Sequence, residues 1–89
     1  MLAWLSAVIG EALEREAGLL RVKARVLRGR IKRFEEKYGM GSEEFREKFE
    51  SGELGDEEDF FIWWSLLEAL SQTKNRLNIV KMILHNTYQ

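Results

Sequence analysis

The segment YGMGSEEFREKFESGELGDEEDFFIWW, residues 38–64, constrains the fold more than any other part of the chain. It contains two glycine-rich turns, two helix starts and a dense cluster of aromatic residues. Sequence of helical periodicity lies on both sides of it. Because the 89 residues include no Pro and only seven Gly, long uninterrupted helices are favoured. The segment therefore predicts a long helix, a reversal through a short helix, and a second long helix.

The first helix is predicted over about residues 2–37. Its apolar side chains recur at alternating steps of four and three, which is the a/d spacing of a coiled-coil seam. Gly39 suits the left-handed position that follows a helix, and Ser42 is expected to cap the next helix. The seam consists of Leu13, Ala17, Leu20, Ala24, Leu27, Ile31, Phe34 and Tyr38.

The short helix is predicted over about residues 42–51 and the third helix over about residues 56–85. Phe45 and Phe49 share one face of the short helix, because residues four apart are neighbours on a helix. Asp56 is expected to cap the third helix, with Asp59 three residues later in a variant of the capping box. The face predicted to pack on the first helix consists of Phe60, Trp63, Leu67, Leu70, Leu77, Val80 and Leu84, with Lys74 as its polar interruption.

These elements predict one all-α domain over residues 1–89, a long antiparallel helical hairpin of coiled-coil type with a short connecting helix. A hairpin of this size cannot surround its own core, so one side of each helix stays uncovered unless it pairs with something. We therefore expect the hairpin to dimerise into a helical bundle. The chain has no cysteine, no recognisable signal peptide and no run near 20 apolar residues, so we expect a cytoplasmic protein without membrane contact.

No set of residues in the sequence predicts catalysis, a cofactor or a metal site. His85 is the only histidine, and no cysteine is present to act as a nucleophile. The acidic residues between positions 50 and 59 lack the ligand spacing and the central glycine of a calcium loop. Four of them fall at a helix start, where acidic residues are expected for helix stability. We therefore expect a protein that is not an enzyme.

Several apolar residues lie outside the predicted core. Leu19, Val22 and Val26 lie away from the seam of the first helix. A second apolar cluster lies at the N-terminal end and is expected to be buried against another surface. The adjacent tryptophans point about 100° apart, so only one can pack under the short helix. A role confined to the core remains the alternative for the aromatic cluster. The candidate partner-binding residues are Trp4, Leu5, Val8, Ile9, Leu19, Val22, Val26, Phe61 and Trp64.

Charge is sorted along the chain although the net charge is only −1. Residues 1–37 carry nine bases and five acids, residues 38–70 two bases and ten acids, and residues 71–89 three bases and no acid. A basic line on the first helix is a candidate nucleic-acid contact, but no aromatic residues interleave with it. Charges that flank a coiled-coil seam are common, so acidic protein surfaces are the favoured partners of this line. The line consists of Arg21, Arg25, Arg28 and Lys32.

The middle of the chain, roughly residues 30–70, resembles a pattern in short archaeal and bacterial antitoxin components of two-gene toxin–antitoxin loci. The resemblance implies a cytoplasmic protein that neutralises a small toxic partner by wrapping or masking it, without catalysis. No ribbon-helix-helix or helix-turn-helix signal accompanies it, so operator binding is not implied. A homo-oligomeric structural coiled coil is the first alternative, and a nucleic-acid-associated helical module is the second. The most specific parts are Tyr38-Gly39-Met40, Glu44-Phe45, Phe49-Glu50, Gly52-Glu53-Leu54-Gly55-Asp56, Asp59-Phe60-Phe61 and Trp63-Trp64.

Overall fold

The computed structural model describes residues 3–87, and all regular structure in this range is helical. The two long helices lie antiparallel along each other, which confirms the predicted all-α hairpin. The Cα radius of gyration is 17.8 Å, whereas a compact domain of this length has roughly 12 Å. The core is therefore a line of contacts along the hairpin. The helices are α1 (Ala3–Tyr38), α2 (Ser42–Glu50) and α3 (Glu58–Thr87).

The helix limits lie close to the predicted ones, with the largest difference in α3. This helix begins two residues later than predicted and continues to Thr87 instead of ending near residue 85. The first helix ends at Tyr38, one residue later than predicted, and α2 ends one residue earlier, at Glu50. The predicted start at Leu2, and the last two residues of the chain, lie outside the described residues.

The predicted seam of α1 is confirmed, and its small residues have a packing role. The ion pairs Glu16–Arg76 and Lys37–Asp59 set the register of the hairpin. In that register a small residue at every seventh position of α1 lies level with a leucine of α3, so large and small side chains alternate across the interface. These levels are Gly10 with Leu84, Ala17 with Leu77, and Ala24 with Leu70. The buried residues of α1 are Gly10, Ala17, Leu20, Ala24, Leu27 and Ile31.

The predicted packing face of α3 was wrong in its middle, by one position. Leu66 is buried and Leu67 is half-buried, while Thr73 rather than Lys74 occupies the polar position, with only 3% of its surface exposed. The Thr73 hydroxyl donates a hydrogen bond of 2.7 Å to the carbonyl of Ala69. Neighbouring positions on a helix are 100° apart, and only packing against α1 decides which of two adjacent candidates points inward. Phe60 and Leu67 also pack against the core, as predicted. The buried and half-buried residues of the face are Phe60, Trp63, Leu66, Leu67, Leu70, Thr73, Leu77, Val80 and Leu84.

Both predicted N-caps were also wrong. Ser42 is the first residue of α2, preceded by Gly41 without a side-chain cap. The Glu35 carboxylate takes over this role, accepting hydrogen bonds from the Ser42 backbone N–H (3.0 Å) and hydroxyl (2.7 Å). Asp56 lies two residues before the start of α3. At the start of α2, the Glu35 side chain from α1 thus satisfies a backbone N–H group that has no partner within the helix. The local sequence around Ser42 cannot indicate this contact.

The predicted left-handed position of Gly39 is confirmed, and Gly52 has the same conformation after α2. Gly39 and Gly52 have φ angles of 60° and 80°, a region that residues with a Cβ rarely occupy. In each turn the next residue's N–H bonds back to the last helical turn, Met40 to the Glu35 carbonyl at 3.2 Å and Glu53 to the Lys48 carbonyl at 2.9 Å. These bonds satisfy carbonyls that the helix ends leave without partners.

The aromatic cluster forms the core at the turn end of the hairpin, which we call the closed end. Trp63 and Phe45 are fully buried and stack with ring centroids 3.8 Å apart. Phe34 and Tyr38 of α1 stack on Trp63 at 5.9 and 6.0 Å. One tryptophan therefore packs under the short helix, as predicted. The opposite end, where α1 begins and α3 ends, has no such cluster among the described residues and is called the open end.

Candidate protein-binding surfaces

A second apolar line runs along the side of α1 that faces away from α3. Its residues alternate by three and four, so they occupy the c and f positions of the heptad whose a and d positions form the buried seam. Leu19, Val22 and Val26 have 67%, 53% and 51% of their surface exposed. Because each of these side chains is already one third to one half covered, burying the rest would contribute about 1–2 kcal/mol per side chain. We call this line the outer stripe; it consists of Leu5, Val8, Ala12, Leu19, Val22 and Val26, interrupted by Arg15.

A second exposed apolar surface lies at the open end. Trp4 and Ile9 of α1 were predicted there, and 60% of the Trp4 surface is exposed. The antiparallel arrangement brings them to the same end as Ile79, Met82 and Ile83 of α3, which the sequence reasoning missed. The i,i+4 spacing of Ile79 and Ile83 was the available signal, but their helix had been assigned a single apolar face. We call these five residues the open-end patch.

The remaining predicted residues, Phe61 and Trp64, lie at the closed end. Phe61 is exposed and meets Phe49 edge-on, with ring centroids 5.3 Å apart. Trp64 is half-buried, and its indole N–H donates a hydrogen bond of 3.0 Å to Glu50. Short helix α2 therefore already covers part of Trp64. Seven of the nine predicted residues thus lie on α1 and two lie at the closed end. Trp64 is half-buried, and the other eight residues are exposed.

The basic residues flank the outer stripe on both edges. Residues 21–33 contain seven bases and no acid. Arg21, Arg25, Arg28 and Lys32 follow one edge, as the sequence predicted, and Lys23 and Arg30 follow the other. None of the seven forms an ion pair with another residue in the range 3–87. The ion pairs of this range are Lys37–Asp59, Arg46–Glu50, Arg46–Glu68, Lys48–Glu44 and Arg76–Glu16.

A shallow groove of about 280 Å³ lies beside the basic region, near the closed end. Its apolar lining comes from Phe34, Ile62 and Leu66, and its basic lining comes from α1. Arg30 and Arg33 line it without an acidic partner in the described part of the chain. The groove thus combines an apolar floor with positive charge, which suits an acidic amphipathic surface better than a neutral one.

A polar cluster ties the end of α1 to the start of α3. The Asp59 carboxylate accepts hydrogen bonds from the Lys37 ammonium (2.6 Å) and the Tyr38 hydroxyl (2.5 Å). The bond from Lys37, followed by that from Tyr38, lowers the pKa of Asp59 below its usual value. The same bonds to Asp59 raise the pKa values of Lys37 and Tyr38. Lys37 and Tyr38 of α1 both bond to Asp59 of α3, so the cluster has a structural role.

The described residues offer little other chemistry. Between residues 3 and 87, no three His, Cys, Asp or Glu side chains are grouped so that they could hold a metal ion. None of the helices α1 to α3 is both long enough and apolar enough to cross a membrane. Comparison of the chain with protein families, with curated proteins and with solved structures gave no match. The exposed apolar surfaces and the charges that flank them are thus the main chemical features of the described residues.

Proposed function

We propose that the protein is a non-catalytic binding protein that holds another protein chain through the open-end patch. The observation that carries this proposal is that both long helices expose large apolar side chains at the open end of the hairpin. Trp4 has the properties of an interface anchor, since tryptophan buries a large area at low conformational cost. A partner that covered the patch would contact α1 and α3 together and clamp the open end of the hairpin.

The partner in this proposal is a small toxic protein, and the support for that class is the resemblance of residues 38–64 to antitoxin components. A cytoplasmic location belongs to the same proposal. Residues 38–70 carry two bases and ten acids, so a basic partner would be attracted to the closed end while its apolar surface covers the open end. The chain would then neutralise its partner by covering it, with no chemical step.

The test is co-expression with the product of the adjacent gene, read out as complex formation and as growth of the host. Met82→Glu places a charge on the most exposed side chain of the patch, 66% of whose surface is accessible. Ser71→Glu places the same charge on an exposed position of α3 outside the patch. The wild type and Ser71→Glu should co-purify with the partner and restore growth, and Met82→Glu should do neither while keeping its helical circular dichroism. Equal binding by all three proteins, or by none, would refute the proposal.

The unpaired basic run favours nucleic-acid binding as a second candidate function. Seven bases with no ion-pair partner among residues 3–87 could neutralise several phosphates. Fluorescence anisotropy with a labelled 20-base-pair duplex between 50 and 200 mM salt tests this candidate. A nucleic-acid binder should lose about tenfold or more in affinity over that range, and Arg25→Glu should reduce the salt slope by about 1. Affinity that is independent of salt would exclude this function.

A further inference from the structure

The outer stripe of α1 repeats the three-and-four spacing of the buried seam, but nothing in the described chain covers it. From Leu5 to Val26 the stripe extends over about 32 Å of helix, at about 1.5 Å per residue. We propose that the outer stripe of a second copy of this chain covers it, with the two α1 helices antiparallel about a two-fold axis. This interface lies along α1, beside the two α1 residues of the open-end patch but away from its three α3 residues, and so goes beyond the proposed function.

The distribution of charge along α1 decides between parallel and antiparallel pairing. Residues 11–16 contain three acids and one base, whereas residues 21–33 contain seven bases. A parallel pair would place the two basic runs side by side at a helix separation of about 10 Å, which is within one Debye length. An antiparallel pair centred near residue 17 separates the middles of the two runs by about 30 Å along the axis, where salt screens their repulsion.

The apolar residues select one antiparallel register. When Val8 lies opposite Val26 of the partner subunit, Ala12 lies opposite the partner's Val22. Leu19 then meets the aliphatic part of the partner's Arg15, whose charged group can extend to solvent. Gly18 falls at the two-fold axis, where the space around its Cβ position is empty to 4 Å, so the helices can approach closely. A shift of one heptad in one direction would place Leu5 and Val8 against charged residues of the second copy. The opposite shift would leave Val26 beyond the start of the second copy's α1 and would separate Glu11 from the partner's Arg25.

Residues that flank the stripe agree with this register. Glu11 lies beside the partner's Arg25 on one edge, and the symmetry of the dimer forms this pair twice. On the other edge Glu16 lies near its own copy, but each Glu16 is already paired with Arg76 of the same chain at 2.9 Å. A parallel pair would instead place Glu11 beside the partner's Glu16 and Arg25 beside the partner's Arg30. Charge thus favours the antiparallel dimer on the edges as well as along the axis.

Sedimentation equilibrium of the purified chain tests the dimer. The wild type and Ser71→Glu should be dimeric, and Val22→Glu should be monomeric with unchanged helical circular dichroism, because Val22 is exposed in the single chain. Met82→Glu should leave the dimer intact. Loss of partner binding at the open-end patch can therefore be distinguished from loss of the dimer. A monomeric wild type would overturn the inference, and so would a dimer that Val22→Glu leaves unchanged.

A charge exchange tests the antiparallel register. Glu11→Arg and Arg25→Glu should each raise the dissociation constant about fivefold or more, because each changes two symmetry-related pairs. The double variant should recover affinity close to that of the wild type, since it restores both pairs with their signs reversed. A double variant that dimerises less tightly than either single variant would refute this register.

Discussion

Replacement of Ser42 by Ala should lower the free energy of unfolding by about 1–3 kcal/mol, although Ser42 lies at the start of a short helix. Its hydroxyl accepts a hydrogen bond from the buried indole N–H of Trp63 (3.1 Å) and donates one to Glu35 (2.7 Å). Trp63 is fully buried, so without the hydroxyl its N–H would lose the partner that compensates for its desolvation.

A double-mutant cycle isolates this contribution. Trp63→Phe removes the indole N–H, so Ser42→Ala in that background loses only the hydroxyl bond to Glu35, at a cost of about 0.5–1.5 kcal/mol. The loss of stability caused by the smaller Phe ring cancels in the cycle, because Trp63→Phe and the double variant both contain Phe at position 63. We expect a coupling energy of about 1 kcal/mol between the two positions.

Urea unfolding followed by far-UV circular dichroism at one fixed protein concentration measures these energies, since association would make stability depend on concentration. With a slope of about 1–2 kcal/mol per molar urea, the midpoint for Ser42→Ala should fall by roughly 1 M. Ser51→Ala is the control, because the Ser51 hydroxyl is exposed and should change stability by under about 0.5 kcal/mol. Equal costs of Ser42→Ala in both backgrounds would refute the reasoning.

Three further changes test other parts of the fold by the same unfolding assay. Thr73→Val removes a buried hydroxyl that bonds only within its own helix, and should raise the free energy of unfolding by about 0.5–1 kcal/mol; a loss above 1 kcal/mol would contradict this. Asp59→Asn should lower stability at pH 7 and flatten its fall in acid. Because the pKa of Asp59 is lowered in the folded chain, its contribution to stability is complete above the ordinary pKa of 3.8 and is lost as the pH falls through the lower, folded value. An Asp59→Asn variant whose stability falls in acid as steeply as that of the wild type would count against this. Gly39→Ala should destabilise by about 1 kcal/mol or more because φ is 60° there. Gly18→Ala should stabilise the helix by up to about 1 kcal/mol when it is made in the Val22→Glu variant, in which the α1 helices of two copies are not paired. Effects of the same sign would be inconsistent with these backbone conformations.

Several features of the fold could be predicted from the sequence because they depend on local periodicity and backbone conformation. The apolar spacing of α1 identified its buried seam, since on a straight helix spacing alone determines which residues share a face. Gly39 and Gly52 identified the turns, because few other residues adopt positive φ angles. The outer stripe was recognised in part, through Leu19, Val22 and Val26. The open-end residues of α3 were missed because a nearly all-round apolar helix has weak periodicity.

Tertiary contacts decided the features that two distant segments share. Glu35 replaces the expected cap of α2, and Asp59 bonds to Lys37 and Tyr38. These partners are 7, 22 and 21 residues apart, so no local pattern links them. The sequence by itself determined the three helices, the reversal between them and the apolar line of α1. The rotation of α3, which buries Leu66 and Thr73, was decided by packing, because adjacent rotations of an apolar helix differ only in how their side chains fit the helix opposite.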